Sequence, residues 1–140
     1  MAIQGYLVDT SAFSRVRLET VRAVVEPLVQ AGSVFTCAIL DLEALYSAQS
    51  GQEYEKIADY RNVVLKYIDT EQADLDRAQQ IQAELASQGR HRGRSLPDLI
   101  ISALAERHNL EVLHYDHDYD LISEVAALAA RWVVPRGSIT

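Results

Sequence analysis

Apolar and polar positions along this chain switch repeatedly between a strand-like and a helix-like period. Gly5-Tyr6-Leu7-Val8 is a short apolar run closed by Asp9, which predicts a buried strand. From Ser11 the spacing turns helical. It restarts near Glu19 and runs to Ala31, where Gly32 is a stop signal and Pro27 predicts a kink or a break. Ser33-Val34-Phe35 predicts a second strand. A helix is predicted over 38–49, ended by Ser50-Gly51, and another over 53–66, followed by a minimal strand at Tyr67-Ile68. Thr70 is placed to cap the next helix, in which Ala73, Ala78, Ile81 and Leu85 recur at near-helical spacing until Gly89.

Residues 90–94 read as a basic loop. Ser95-Leu96-Pro97-Asp98 then has the form of a helix entry, with a Ser cap, a Pro in the first turn and an acid three residues after the cap. That helix runs to about residue 108. A strand follows over 111–115, a helix over 118–130, and a closing strand at Trp132-Val133-Val134 that Pro135 ends. Short strands alternating with helices, without linker or repeat, predict one α/β domain over 1–140 with a mainly parallel sheet.

The acids matter by position. Asp9 ends the first strand and Asp116 ends the 111–115 strand. The crevice outside the carboxyl ends of parallel strands is where ligands bind, so these two acids share a site if their strands are neighbours. Each could equally serve only as a helix N-cap. Asp98 has the same double reading: it is the acid of a capping box begun by Ser95, yet it opens a helix that is apolar around most of its circumference. A lone carboxylate at the edge of a core is costly. In the helix over 38–49, Glu43 and Asp41 each lie about 40° beyond the apolar arc, and the wheel does not choose between them.

Composition narrows the chemistry. Thirteen basic residues against twenty acidic ones give a formal charge of −7. A uniformly basic nucleic-acid surface is thereby excluded, though not a local basic patch. The single cysteine, Cys37, excludes an internal disulfide and a multi-cysteine zinc site, and a reducing compartment fits. The first nine residues lack the charge and apolar run of a signal peptide, and no apolar run reaches the roughly 18 residues of a membrane span. A cytoplasmic protein with no membrane partner is expected.

Asp116-His117-Asp118-Tyr119-Asp120 begins like an EF-hand, but Leu121 and Ala127 stand where its Gly and closing Glu belong. His114 and His117 alone are too few for zinc. Asp9-Thr10-Ser11 lacks the second Asp of an aspartyl-phosphate phosphatase. Clustered carboxylates repel one another unless a hard divalent cation neutralises them, and all-oxygen ligands suit Mg²⁺ or Mn²⁺. Such ions turn an acidic pocket into a phosphate-binding one. Arg accounts for all the bases except Lys56 and Lys66, and Arg90, Arg92 and Arg94 directly precede the Asp98 helix. They are candidate phosphate contacts, or else a solvated loop.

Four segments carry a resemblance. Leu7-Val8-Asp9-Thr10-Ser11-Ala12, Asp41-Leu42-Glu43-Ala44-Leu45-Tyr46-Ser47-Ala48, Leu96-Pro97-Asp98-Leu99-Ile100-Ile101-Ser102-Ala103 and Leu113-His114-Tyr115-Asp116-His117-Asp118-Tyr119 occur in the order and spacing of the PIN-domain ribonucleases. The chain resembles in particular the VapC toxins of bacterial toxin–antitoxin pairs; residues 132–140 match least. The resemblance implies a PIN-like fold, a five-stranded parallel sheet flanked by helices, and metal-dependent RNA cleavage. It assigns catalytic roles to Asp9, Glu43, Asp98 and Asp116, favouring Glu43 over Asp41, with Asp9, Asp98, Asp116 and Asp118 as metal ligands. Thr10 or Ser11 matches the hydroxyl that supports the first Asp. A homodimer and a cognate VapB-type antitoxin are implied, with operator DNA reached only through the antitoxin. The substrate would be tRNA or ribosomal RNA. The rival expectation is a regulatory module without chemistry, whose acidic pocket binds a basic peptide.

Overall fold

The computed structural model describes residues 2–139; the two terminal residues, Met1 and Thr140, lie outside the described part. Five strands, β1 (Gly5–Val8), β2 (Val34–Thr36), β3 (Lys66–Tyr67), β4 (Leu110–His114) and β5 (Ala130–Trp132), form one parallel sheet in the order β3-β2-β1-β4-β5. The helices are α1 (Thr10–Phe13), α2 (Glu19–Gln30), α3 (Ala38–Tyr46), α4 (Gly51–Val64), α5 (Gln72–Ser87), α6 (Leu96–His108) and α7 (Asp118–Ser123).

Side chains of successive strand residues point to opposite faces, and the core divides accordingly. Leu7 and Val112 pack with Leu40, Ile101 and Leu104 on one face, under α3 and α6. Val8, Leu113 and Val34 pack with Ala12, Val21 and Val25 on the other, under α1 and α2. A third cluster joins Ala78, Ile81 and Leu85 of α5 to Leu99 and Ala103 of α6. Gly5 sits where β1 meets β2: a Cβ there would lie 2.6 Å from the Phe35 ring and 2.7 Å from the Ser33 carbonyl oxygen. Any side chain at that position would push the two strands apart.

Four local expectations are corrected. Pro27 does not break α2, which runs through it to Gln30. Pro27 and Ala23, one turn earlier, are both exposed, so the carbonyl that proline leaves without a partner faces water. Thr70 does not cap α5. Glu71 is the N-cap, and its backbone N–H donates to Asp74 Oδ2 at 2.8 Å. The predicted 118–130 helix stops at Ser123, because the Val112 N–H donates to the Ala129 carbonyl and draws the alanine-rich end into the sheet. Sheet pairing there overrides helix propensity. Ser95 is the N-cap of α6, with Pro97 in the first turn, but its side chain makes no capping bond. Its backbone N–H donates not to Asp98 but to Asp118 Oδ2, at 3.3 Å.

Candidate active site

Because β1 and β4 are adjacent and in register, with Val8 opposite Leu113, their following acids emerge at the same end of the sheet. Asp9 caps α1 and belongs to the acidic cluster at once, so the two readings of that residue coexist. Its Oδ2 accepts from Ser11 N at 3.0 Å and Ser11 Oγ at 2.6 Å. Ser11 Oγ in turn accepts from Tyr115 N at 2.9 Å, which ties α1 to the end of β4. Asp116 Oδ1 accepts from Asp118 N at 2.9 Å. One carboxylate oxygen from each of Asp98, Asp116 and Asp118 lies within 4.8 Å of the others. Asp9 stands outside this trio and is tied to Asp98 through Tyr119.

Tyr119 has no solvent exposure, and its hydroxyl lies 2.7 Å from Asp9 Oδ1 and 3.2 Å from Asp98 Oδ1. One phenol proton thus serves two buried carboxylates. Asp98 is left poorly compensated: it is only 4 % exposed, and its Oδ2 has no hydrogen-bond partner among the described residues. Burial, reinforced by Asp9 and Asp116, pushes its pKa up to about 8. Tyr119 itself is raised by burial and by the charges of Asp9 and Asp98. Its significance is absent from the sequence pattern, where it is simply the residue after Asp118.

Glu43, half-buried on α3, accepts from Thr10 Oγ1 at 3.3 Å, and burial together with the charge of Asp9 raises its pKa. Asp41 turns elsewhere: its Oδ1 accepts from Arg61 Nε at 2.8 Å and from Thr36 Oγ1 at 2.7 Å. Of the two acids that flank the apolar arc of α3, the one beside Asp9 is therefore Glu43. Beside Glu43 and Thr10, a groove lined by Leu42 and Tyr46 opens to solvent. His114 is buried on β4 between the rings of Tyr119 and Trp132, and burial lowers its pKa. His117 is exposed in the following loop, as its sequence position suggests.

The three loop arginines part company. Arg90 forms an exposed ion pair with Glu124, and Arg92 is exposed. Arg94 turns towards the carboxylates, where its Nη1 lies 3.0 Å from Asp118 Oδ1.

The donor set fits a hard divalent cation. It is all oxygen, it concentrates negative charge that the protein only partly neutralises, and it holds an orphaned buried oxygen on Asp98. Asp98, Asp116 and Asp118 are placed to hold such an ion, with Asp9 adjoining.

The chain matches the PIN domain family over residues 6–128. It is 42% identical over 137 residues to Ribonuclease VapC51 of Mycobacterium tuberculosis, covering 96% of each chain. It is 40% identical over 133 residues to Ribonuclease VapC21 of the same organism, covering 95% of this chain and 96% of that one. Among solved structures, DNA-bound VapBC from Salmonella typhimurium aligns with a TM-score of 0.73 at 18% identity, over 94% of this chain and 100% of that chain. VapBC2 from Rickettsia felis, bound to a promoter fragment, aligns with a TM-score of 0.72 at 16% identity, over 90% and 96%. At such identities the structural likeness speaks for the fold alone. Sequence and fold together place this chain in the PIN-domain family, among its VapC members.

Proposed function

We propose that this protein is the toxin of a toxin–antitoxin pair and a Mg²⁺- or Mn²⁺-dependent endoribonuclease that inhibits translation by hydrolysing tRNA or ribosomal RNA. The observation that carries the reading is Asp98: a carboxylate 4 % exposed, near Asp9, Asp116 and Asp118 and with no basic partner among the described residues. Its relatives named Ribonuclease VapC support the activity, and neighbours solved as VapBC complexes support a VapB-type antitoxin as partner.

Asp98, Asp116 and Asp118 would hold the metal together with the adjoining Asp9. A divalent ion bound there supplies the charge that lets a phosphodiester approach an acidic pocket and makes water a better nucleophile. The protein's own groups do the rest. Ser11 and Tyr119 fix the two oxygens of Asp9. Glu43, held by Thr10 and made more basic by burial and Asp9, orients the attacking water and accepts its proton. Arg94, beside Asp118, and the exposed Arg90 and Arg92 of the same loop would be the contacts for RNA phosphates.

A homodimer in the cytoplasm is expected, with operator DNA met only through the antitoxin. Among the described residues no helix is long and apolar enough to cross a membrane.

The test is RNA cleavage by the purified wild type and by Asp98→Asn, with Mg²⁺, Mn²⁺ or chelator, followed by mapping of new RNA 5′ ends. Cleavage that requires metal and disappears in the folded variant supports the reading. Full cleavage by folded Asp98→Asn overturns the mechanism. Absence of any metal binding in calorimetry would favour the basic-peptide module instead.

A further inference from the structure

Arg94 differs from its neighbours in the basic loop. Its side chain is only 19% exposed and that of Asp118 only 18%, so their 3.0 Å contact is largely withdrawn from solvent. Arg94 Nε is buried and has no hydrogen-bond partner among the described residues. A guanidinium normally satisfies more than one of its donors, so this side chain is held by charge rather than by a completed hydrogen-bond set. The other Asp118 oxygen accepts the Ser95 N–H, from the residue next to Arg94 in sequence. Residues 94 and 95 together therefore grip both oxygens of a carboxylate that shares a cluster with Asp98 and Asp116.

We propose that Arg94 is a tethered counter-cation for the acidic cluster: it neutralises Asp118 while the site holds no metal, and a divalent ion must displace or outcompete it to use that carboxylate. The inference rests on the metal-dependent reading above. Its physical basis is that a carboxylate shared between a guanidinium and a divalent ion places two positive centres side by side in a partly buried setting, where screening is weak. Arg94 consequently lowers the affinity of the site for metal and stabilises the metal-free fold. It acts through Asp118 and is a positioning residue.

The test compares wild type, Arg94→Gln and Arg94→Lys by Mn²⁺ calorimetry and by thermal melting with and without Mn²⁺. Arg94→Gln should bind Mn²⁺ roughly three- to tenfold more tightly than wild type, while Arg94→Lys, which keeps the charge, stays closer to wild type. The melting temperature of Arg94→Gln should fall without metal and recover towards wild type when Mn²⁺ saturates the site. A purely structural role would lower both melting temperatures equally and leave affinity unchanged, and either result overturns the proposal.

A measurement on the unmodified protein covers the case in which Arg94→Gln does not fold. The Arg94 Nε–Hε resonance should shift and exchange faster with water on Mg²⁺ addition, and an unchanged signal at saturating Mg²⁺ overturns the proposal. Wild type that binds no Mg²⁺ or Mn²⁺ removes both this proposal and the metal-dependent reading. Wild type that binds metal as well as Arg94→Gln does removes this proposal alone.

Discussion

Asp74 and Asp98 hold the same position on two helices packed against each other, the third residue after the N-caps of α5 and α6, and they are 2% and 4% exposed. Their partners differ completely. Asp74 closes the capping box with Glu71 N, and both of its oxygens meet Arg107, with Nε–Oδ1 at 2.7 Å and Nη2–Oδ2 at 2.8 Å. Burial alone would raise its pKa, but the Arg107 and Glu71 hydrogen bonds outweigh it and hold the carboxyl below its usual range. Asp98 has a shared phenol proton and three acids, and its pKa moves the opposite way. Asp74, a buried acid within the fold, carries its base within the chain. Asp98 is left in electrostatic deficit, the state in which a bound cation would supply the missing charge.

The strongest test of that contrast is Asp98→Asn. RNA cleavage should fall by roughly 1000-fold, as for loss of a group acting directly on transition-state charge, while the melting temperature of the metal-free protein holds or rises because a repulsion has been removed. A fall in melting temperature without loss of cleavage would make Asp98 a structural acid like Asp74. Arg107→Ala should do the reverse. It leaves Asp74 buried and unpaired, costing about 3 kcal/mol in urea unfolding, with Mn²⁺ affinity in calorimetry unchanged.

The pH dependence follows in sign from Asp98. Its carboxyl loses its proton near 3.8 when unfolded and at about 8 when folded, so between those values the folded state binds more protons. Metal-free stability should therefore decline as pH rises through that window, read as a falling urea midpoint, and Asp98→Asn should flatten the decline. The smallest effect is expected of Tyr119→Phe, which removes one donor from Asp9 and should cost about 1–2 kcal/mol of metal-free stability.

Much of this was legible along the chain. The apolar run Gly5-Tyr6-Leu7-Val8 matches β1 residue for residue, and Asp9 stands at its end as expected. The order of strands and helices, and the parallel sheet, also follow from the pattern. The expected 118–130 helix failed where local propensity met a competing strand: the alanines near residue 130 favour helix, and pairing with β4 claims them. The capping box at Ser95 failed because the N–H it needed is taken by Asp118, 23 residues away. Tyr119 was invisible as a shared donor because a phenol in an acid-rich stretch has no periodic signature.

Read by position, the charge of −7 is concentrated: without Asp9, Glu43, Asp98 and Asp116, sixteen acids stand against thirteen bases. Sequence by itself determines which acids lie at strand ends and helix starts, because backbone periodicity and capping chemistry are local. Only the tertiary structure decides which of them meet a base. Asp41 finds Arg61 and Asp118 finds Arg94, while Asp98 finds none among the described residues. Those pairings join residues about twenty positions apart through space, where Coulomb attraction and desolvation act and sequence periodicity carries no information.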